Sequence, residues 1–117
     1  MDEENSAFLQ FFGNSPQFRM IDFLLEHRLA DFTKTESASG AGISWASLFN
    51  HWDVLSAHGI VKPTRSVGRA TLYQLDESNR IVKQLRAIEL ALIKEGVDVA
   101  EEQVELKAKI SNKSRKG

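Results

Sequence analysis

Cysteine is absent from the chain, which excludes disulfides, thiolate nucleophiles and thiolate metal ligands. No run of eighteen apolar residues occurs, so no segment is expected to span a bilayer as a helix. The sequence opens Met-Asp-Glu-Glu, without a basic stretch leading into an apolar one; secretion is not expected, and the expected location is the cytoplasm. Histidine is scarce, at three residues. His51 and His58 share a helix face but stand about 10 Å apart, too far for one ion without another ligand between them. With no His-x3-His pair and no carboxylate cluster, neither a metal nor any other cofactor is expected. No nucleophile–base arrangement stands out. Gly40-Ala41-Gly42 follows no strand and lacks the lysine of a phosphate-binding loop, so catalysis is not expected either. An excess of charge is also missing: the net value is −1.

What is present is one domain's worth of chain, 117 residues, 42% hydrophobic and 26% charged, ordinary for a globular protein. The charge is unevenly placed. Asp2, Glu3 and Glu4 open the chain, and Glu95, Asp98, Glu101, Glu102 and Glu105 collect late. Between Ser44 and Leu75 the charges are Lys62, Arg65 and Arg69 against Asp53 alone. A near-neutral molecule can therefore carry a locally cationic face, with only modest affinity expected for a random polyanion.

Phe8, Leu9, Phe11 and Phe12 make a dense apolar cluster that Gly13 ends. Ser15 then caps a helix with Pro16 at its first position, where the missing N–H costs nothing. Over 16–27, Phe18, Ile21, Leu24 and Leu25 give that helix one buried face. Residues 31–33 are short and extended. Thr33 caps a second helix over 34–39, with Glu36 as its capping-box partner. A tight turn at 41–44 leads to a third helix from its cap, Ser44, to His58. Leu48, Trp52 and Leu55 form its core stripe, and Trp45, Ser47, Phe49 and Asn50 lie off it. Gly59 stops it.

Residues 60–64 and 71–75 read as two strands, with Thr71, Tyr73 and Leu75 on one face of the second, joined by a basic turn at 65–70. Pro63 cannot donate to a ladder and suits an edge. Asp76 is expected to cap a fourth helix from Glu77 to Glu95. Along it Ile81, Leu85, Ile88 and Leu92 repeat at 4, 3, 4 like a coiled-coil seam. Gly96 marks a break before a charged helical stretch.

The fold class expected is mainly α with a small β-hairpin: a helix-turn-helix followed by a hairpin wing, plus a C-terminal dimerisation helix. The divisions are 1–14, an apolar N-terminal helix; 15–76, the helix-turn-helix and wing; 77–110, the C-terminal helical segment; and 111–117, a flexible basic tail. A helix held by a second helix, beside a cationic hairpin, is suited to reading a DNA major groove.

Two stretches carry a resemblance. Ser44-Trp45-Ala46-Ser47-Leu48-Phe49-Asn50-His51-Trp52, followed by Leu55 and His58-Gly59-Ile60-Val61, resembles the recognition helix and its exit in the winged helix-turn-helix regulators, the broad class holding the MarR and ArsR families. Gly68-Arg69-Ala70-Thr71-Leu72-Tyr73-Gln74-Leu75 is similar to that class's wing tip and returning strand. Phe12-Gly13-Asn14-Ser15-Pro16 looks like its small archaeal members. The resemblance covers 12–92 and implies a cytoplasmic transcriptional regulator that binds double-stranded DNA.

The candidate DNA-binding residues are Lys34, Thr35, Ser44, Trp45, Ser47, Phe49, Asn50, Lys62, Arg65, Gly68 and Arg69. Asn50 can pair bidentately with adenine; Ser44 and Ser47 can hold phosphates or bases; Trp45 or Phe49 can press on a thymine methyl. Arg65 and Arg69, bracketing a turn that Gly68 permits, can clamp a phosphate or enter the minor groove. Lys34, Thr35 and Lys62 are backbone contacts. Phe8, Leu9, Phe11 and Phe12 with Ile81, Leu85, Ile88 and Leu92 are the candidate homodimer interface, which would present two recognition helices about 34 Å apart. The rival is a winged helix that binds another protein through Trp45, Phe49 and the fourth helix, not touching DNA.

Overall fold

A computed structural model of the chain describes residues 5–116, with side chains to 110. The acidic start at 1–4 and the side chains of the tail expected at 111–117 lie outside the described residues. Five helices and one hairpin follow in the order α1 (Ala7–Phe12), α2 (Pro16–Glu26), α3 (Lys34–Ala41), α4 (Trp45–Ala57), β1 (Val61–Val67), β2 (Ala70–Leu75) and α5 (Arg80–Lys116). α5 projects well beyond the rest, giving a molecule 71 Å long and only 28 by 22 Å across.

The helix starts follow their caps. Ser15 Oγ accepts from the Phe18 N–H, with Pro16 at the first turn. The Thr33 hydroxyl accepts from the Glu36 N–H at 3.1 Å while Glu36 accepts from the Thr33 N–H at 2.9 Å, closing the capping box. α3 runs two residues further than its composition suggests, to Ala41, because Gly40 is part of it. A Cβ at Gly40 would lie 2.1 Å from the Phe23 ring, so the glycine admits α2 to close packing instead of ending the helix.

The core gathers Met20, Ile21, Leu24 and Leu25 of α2, Leu48, Trp52 and Leu55 of α4, Ile60, Val61, Leu75 and Val82. Phe8 completes it. Expected at a dimer interface, this side chain is instead fully buried in its own protomer, where it is the one fully buried residue of the six-residue α1. Phe12 stacks on Phe18 with centroids 5.0 Å apart, Leu9 packs at the core's edge, and Phe11 is left in water.

The hairpin pairs Val61 with Leu75 and Val67 with Ala70, interrupted by a bulge at Thr64. The strands extend further than expected, leaving Gly68 and Arg69 as a two-residue turn, with Gly68 at φ 60°. Arg65 therefore lies inside β1 and does not flank the turn. A bridge from Phe32 to Tyr73 adds a third, one-residue partner on the other side of β2. β1 with Pro63 is thus the edge strand. Leu72, on the face of β2 opposite Thr71, Tyr73 and Leu75, is also buried, because β2 is covered in part on both faces.

α5 starts at Arg80 and not at Glu77. Asn79 Oδ1 takes the N–H groups of Ile81 and Val82 at 2.8 and 3.1 Å, while Asp76 is occupied with the backbone and hydroxyl of Ser78. The helix continues through Gly96, where the sequence suggests a break. Val82 and Glu89 turn inward, and Ile81 and Ile88 stay exposed.

Where α1, α2 and α5 meet, Asp22 accepts from the Ser6 hydroxyl at 2.6 Å and Glu89 pairs with Arg86. Burial raises the Asp22 pKa, the Ser6 hydrogen bond opposes the rise, and the charge of Glu89 adds to it. Burial likewise raises Glu26, helped by Asp22 and Glu89. For an acid raised on folding, the native state holds its proton more tightly than the unfolded chain. Its contribution to stability is complete at low pH and is lost as pH rises through the folded value. Asp22→Asn should keep the hydrogen bond and remove the charge. Melting followed by circular dichroism should show a higher Tm at pH 7, with a smaller gain at pH 4. Phe8→Ala should cost about 3–5 kcal/mol in a denaturant titration, whereas exposed Phe11→Ala should stay within about 0.5 kcal/mol.

Candidate nucleic-acid interface

α4 buries Leu48, Trp52 and Leu55 and so turns its other side outward. Ser44 is the N-cap, its Oγ accepting from the Ser47 N–H at 3.1 Å, so this hydroxyl is already engaged in starting the helix. Trp45 and Phe49 stand one turn apart on the outer side, 50% and 60% exposed, with ring centroids 5.9 Å apart. Asn50 beside them is exposed and Ser47 half-buried.

The start of α4, the first turn of α3 and the returning strand converge. Thr33, Lys34, Thr35, Trp45, Ala70, Thr71 and Tyr73 line one open cleft of about 280 Å³. Thr33, Ala70, Thr71 and Tyr73 are absent from the sequence-derived set, because only the pairing register places β2 opposite α3. The ordering of the cleft has an aromatic base. Trp52 and Tyr73 meet edge to face at 5.0 Å, and Lys34 Nζ lies 5.6 and 5.8 Å from their centroids. A cation over aromatic faces is held without losing its charge.

The three cations of the hairpin separate into different roles. Arg69 is in the exposed turn and makes no ion pair among the described residues. Lys62 is at the hairpin's root, its Nζ 3.9 Å from the Asp76 carboxylate. Arg65 is committed: its Nε and one terminal nitrogen donate to the two oxygens of Asp31 at 2.9 and 3.2 Å. Thr64, the bulged residue, donates to the same carboxylate at 2.6 Å. These donors hold the Asp31 pKa down to about 2, and Asp31 in turn raises Arg65. Asp31 is the residue sequence reasoning missed. It lies 34 positions from Arg65, and no local pattern signals the contact.

No protein-family model matches the sequence, and no curated protein matches it. Solved structures do. MepR, a transcription regulator of the Staphylococcus aureus multidrug efflux pump MepA, superposes with a TM-score of 0.59 at 18% identity, over 91% of this chain and 83% of MepR. A double mutant of ZitR of Lactococcus lactis in apo form gives 0.59 at 16% identity, over 92% and 88%. The adhesin competence repressor AdcR of Streptococcus pyogenes gives 0.54 at 17%, over 74% of this chain and 64% of AdcR, under two thirds of its length. The fold is the winged helix. In its terms α3 and α4 are the helix-turn-helix pair, and β1 and β2 the wing.

The bidentate Arg65–Asp31 pair spends a guanidinium that a wing could otherwise offer to a phosphate. Asp31→Ala should release it. Binding of a random duplex, followed by fluorescence anisotropy, should tighten several-fold, and the slope of log K against log salt should steepen by about one. An unchanged slope would show that Arg65 never reaches a phosphate.

Proposed function

We infer that this protein is a sequence-specific, double-stranded DNA-binding transcriptional regulator that works in the cytoplasm as a homodimer. The observation that carries the reading is the convergence of the starts of α3 and α4 and the returning wing strand on one cleft, with unpaired Arg69 at the wing tip. Three elements that can each meet a different part of a duplex share one side of the molecule. The winged-helix neighbours add support. One of them is a MepR variant whose structure was determined bound to an oligodeoxyribonucleotide.

In this reading the first two turns of α4 enter the major groove, and Asn50, Ser47, Trp45 and Phe49 meet base edges. Ser44, Lys34 and Thr35 approach the backbone, which fixes register without conveying sequence. Arg69, presented by the tight turn at Gly68, takes a phosphate or enters the minor groove. Lys62 and Arg65 play a lesser part, since acidic neighbours hold both.

The dimer is argued from exposed apolar surface. Ile81 and Ile88 of the seam face water, Leu85 and Leu92 are half-buried beside them, and Val99 and Leu106 continue the seam on the projecting half of α5. Phe11 offers a further exposed ring. Such a stripe is a liability unless a partner covers it. Phe8, fully buried, is not part of that surface. Sedimentation at micromolar concentration should show twice the 13.2 kDa chain mass; a single species of chain mass contradicts the dimer.

The second reading, an interaction module that binds another protein through Trp45 and Phe49, draws on their exposure and on the near-neutral charge. Anisotropy of a labelled random duplex over a range of salt separates the two. DNA binding predicts affinity that falls steeply with salt, and Arg69→Ala should weaken it and flatten the slope by about one. Asn50→Ala should lower preference for a selected site more than affinity for random sequence. No binding at low salt by the folded protein makes the interaction module the better account.

A further inference from the structure

Trp45 and Phe49 raise a question that groove reading leaves open. Reading base edges requires donors and acceptors, and a thymine methyl requires only a small apolar patch. Here two large rings stand side by side in water at the head of the recognition helix, and neither is needed to close the protomer's core. Trp45 is also one wall of the cleft that Tyr73 bounds from β2. Apart from Ala70, the remaining lining is polar and cationic: Lys34 and the hydroxyl-bearing Thr33, Thr35 and Thr71.

That combination differs from an ordinary protein-docking patch. An apolar partner side chain would leave Lys34 and the threonines facing carbon. A nucleotide matches all of them. Its base has two π-faces for an aromatic wall, edges with donors and acceptors for hydroxyls, and an anionic phosphate for the ammonium. The cleft is open and, at about 280 Å³, has room for one base and part of its sugar. Aromatic stacking tolerates any base, because every base presents a π-face.

We propose that the cleft between Trp45 and Tyr73 receives a single unstacked base of bound DNA, lying against the Trp45 indole, while Phe49 covers the step from which it came. The proposal rests on the DNA-binding reading and deepens it. The protein would then favour sites where a base is unpaired or easily unstacked. In a fully paired duplex, the unstacking cost opposes the gain from the aromatic wall. A base that is already unpaired avoids that cost and keeps the whole gain.

The test compares two labelled duplexes of one sequence, fully paired or carrying one unpaired thymine, by anisotropy with the full-length chain at fixed salt. The expected result is about tenfold tighter binding of the bulged duplex. The intrinsic tryptophan emission should also be quenched more by the bulged duplex, because Trp45 is the exposed indole and Trp52 is buried. Trp45→Leu keeps apolar bulk and removes the π-face; it should bring the bulged-to-paired ratio close to one. Salt-dependent binding with equal affinity for both duplexes overturns the cleft and leaves the DNA reading standing. A preference that survives Trp45→Leu overturns it as well. Failure to bind either duplex removes the DNA reading and this proposal together, and passes the aromatic pair to a protein partner.

Discussion

The edge-to-face contact of Trp52 with Tyr73 is the joint on which the functional surface depends. Trp52 belongs to the inner stripe of α4 and Tyr73 to β2, so their contact sets α4 against the hairpin. Tyr73 also exchanges backbone hydrogen bonds with Phe32, at 2.7 and 2.8 Å, which brings the chain entering α3 to the same place. Lys34 then lies over both rings. Three segments distant in sequence are fixed at one point, and the cleft on the outer side follows from that. Without the joint, the wing would be a two-stranded ribbon with little reason to hold one orientation.

In a chain of net charge −1, the placement of acidic side chains decides which cations of the hairpin stay available. Acidic partners quench the cations near the wing's root and flank, through Asp76 and Asp31, and spare the one at its tip. In the proposed DNA-binding reading, affinity for random DNA would rest on few phosphate contacts, and discrimination between sequences would depend more on α4. An exposed pair of this kind contributes little to folding. Its consequence lies in which guanidinium remains available.

Much of the fold was legible because its signals are local. The Ser15-Pro16 start, the Thr33 and Glu36 capping box, the Ser44 cap and the Leu48, Trp52, Leu55 stripe each act within a few residues, and each stands where expected. What was not legible depends on distance. Asp31 meets Arg65 only because Phe32 pairs with Tyr73. Gly40 belongs to α3 because Phe23 of another helix needs the space. The start of α5 turned on a competition between two good caps, Asp76 and Asn79, which Ser78 resolved by occupying Asp76. Periodicity marked Ile81, Leu85, Ile88 and Leu92 as one stripe of α5 but could not tell which of its residues the protomer itself uses. Val82 and Leu85 pack on the core, while Ile81 and Ile88 face water.

The central claim is that the starts of α3 and α4 and the tip of the wing form one DNA-facing surface. Amide chemical shifts of isotope-labelled protein, recorded as a short random duplex is added at low salt, test it most directly. The account predicts that the largest changes fall at Lys34, Thr35, residues 44–50, Gly68 and Arg69, with α1 and the projecting half of α5 little affected. Changes centred on α5 with none along α4, or no changes at all from a folded protein, would contradict it.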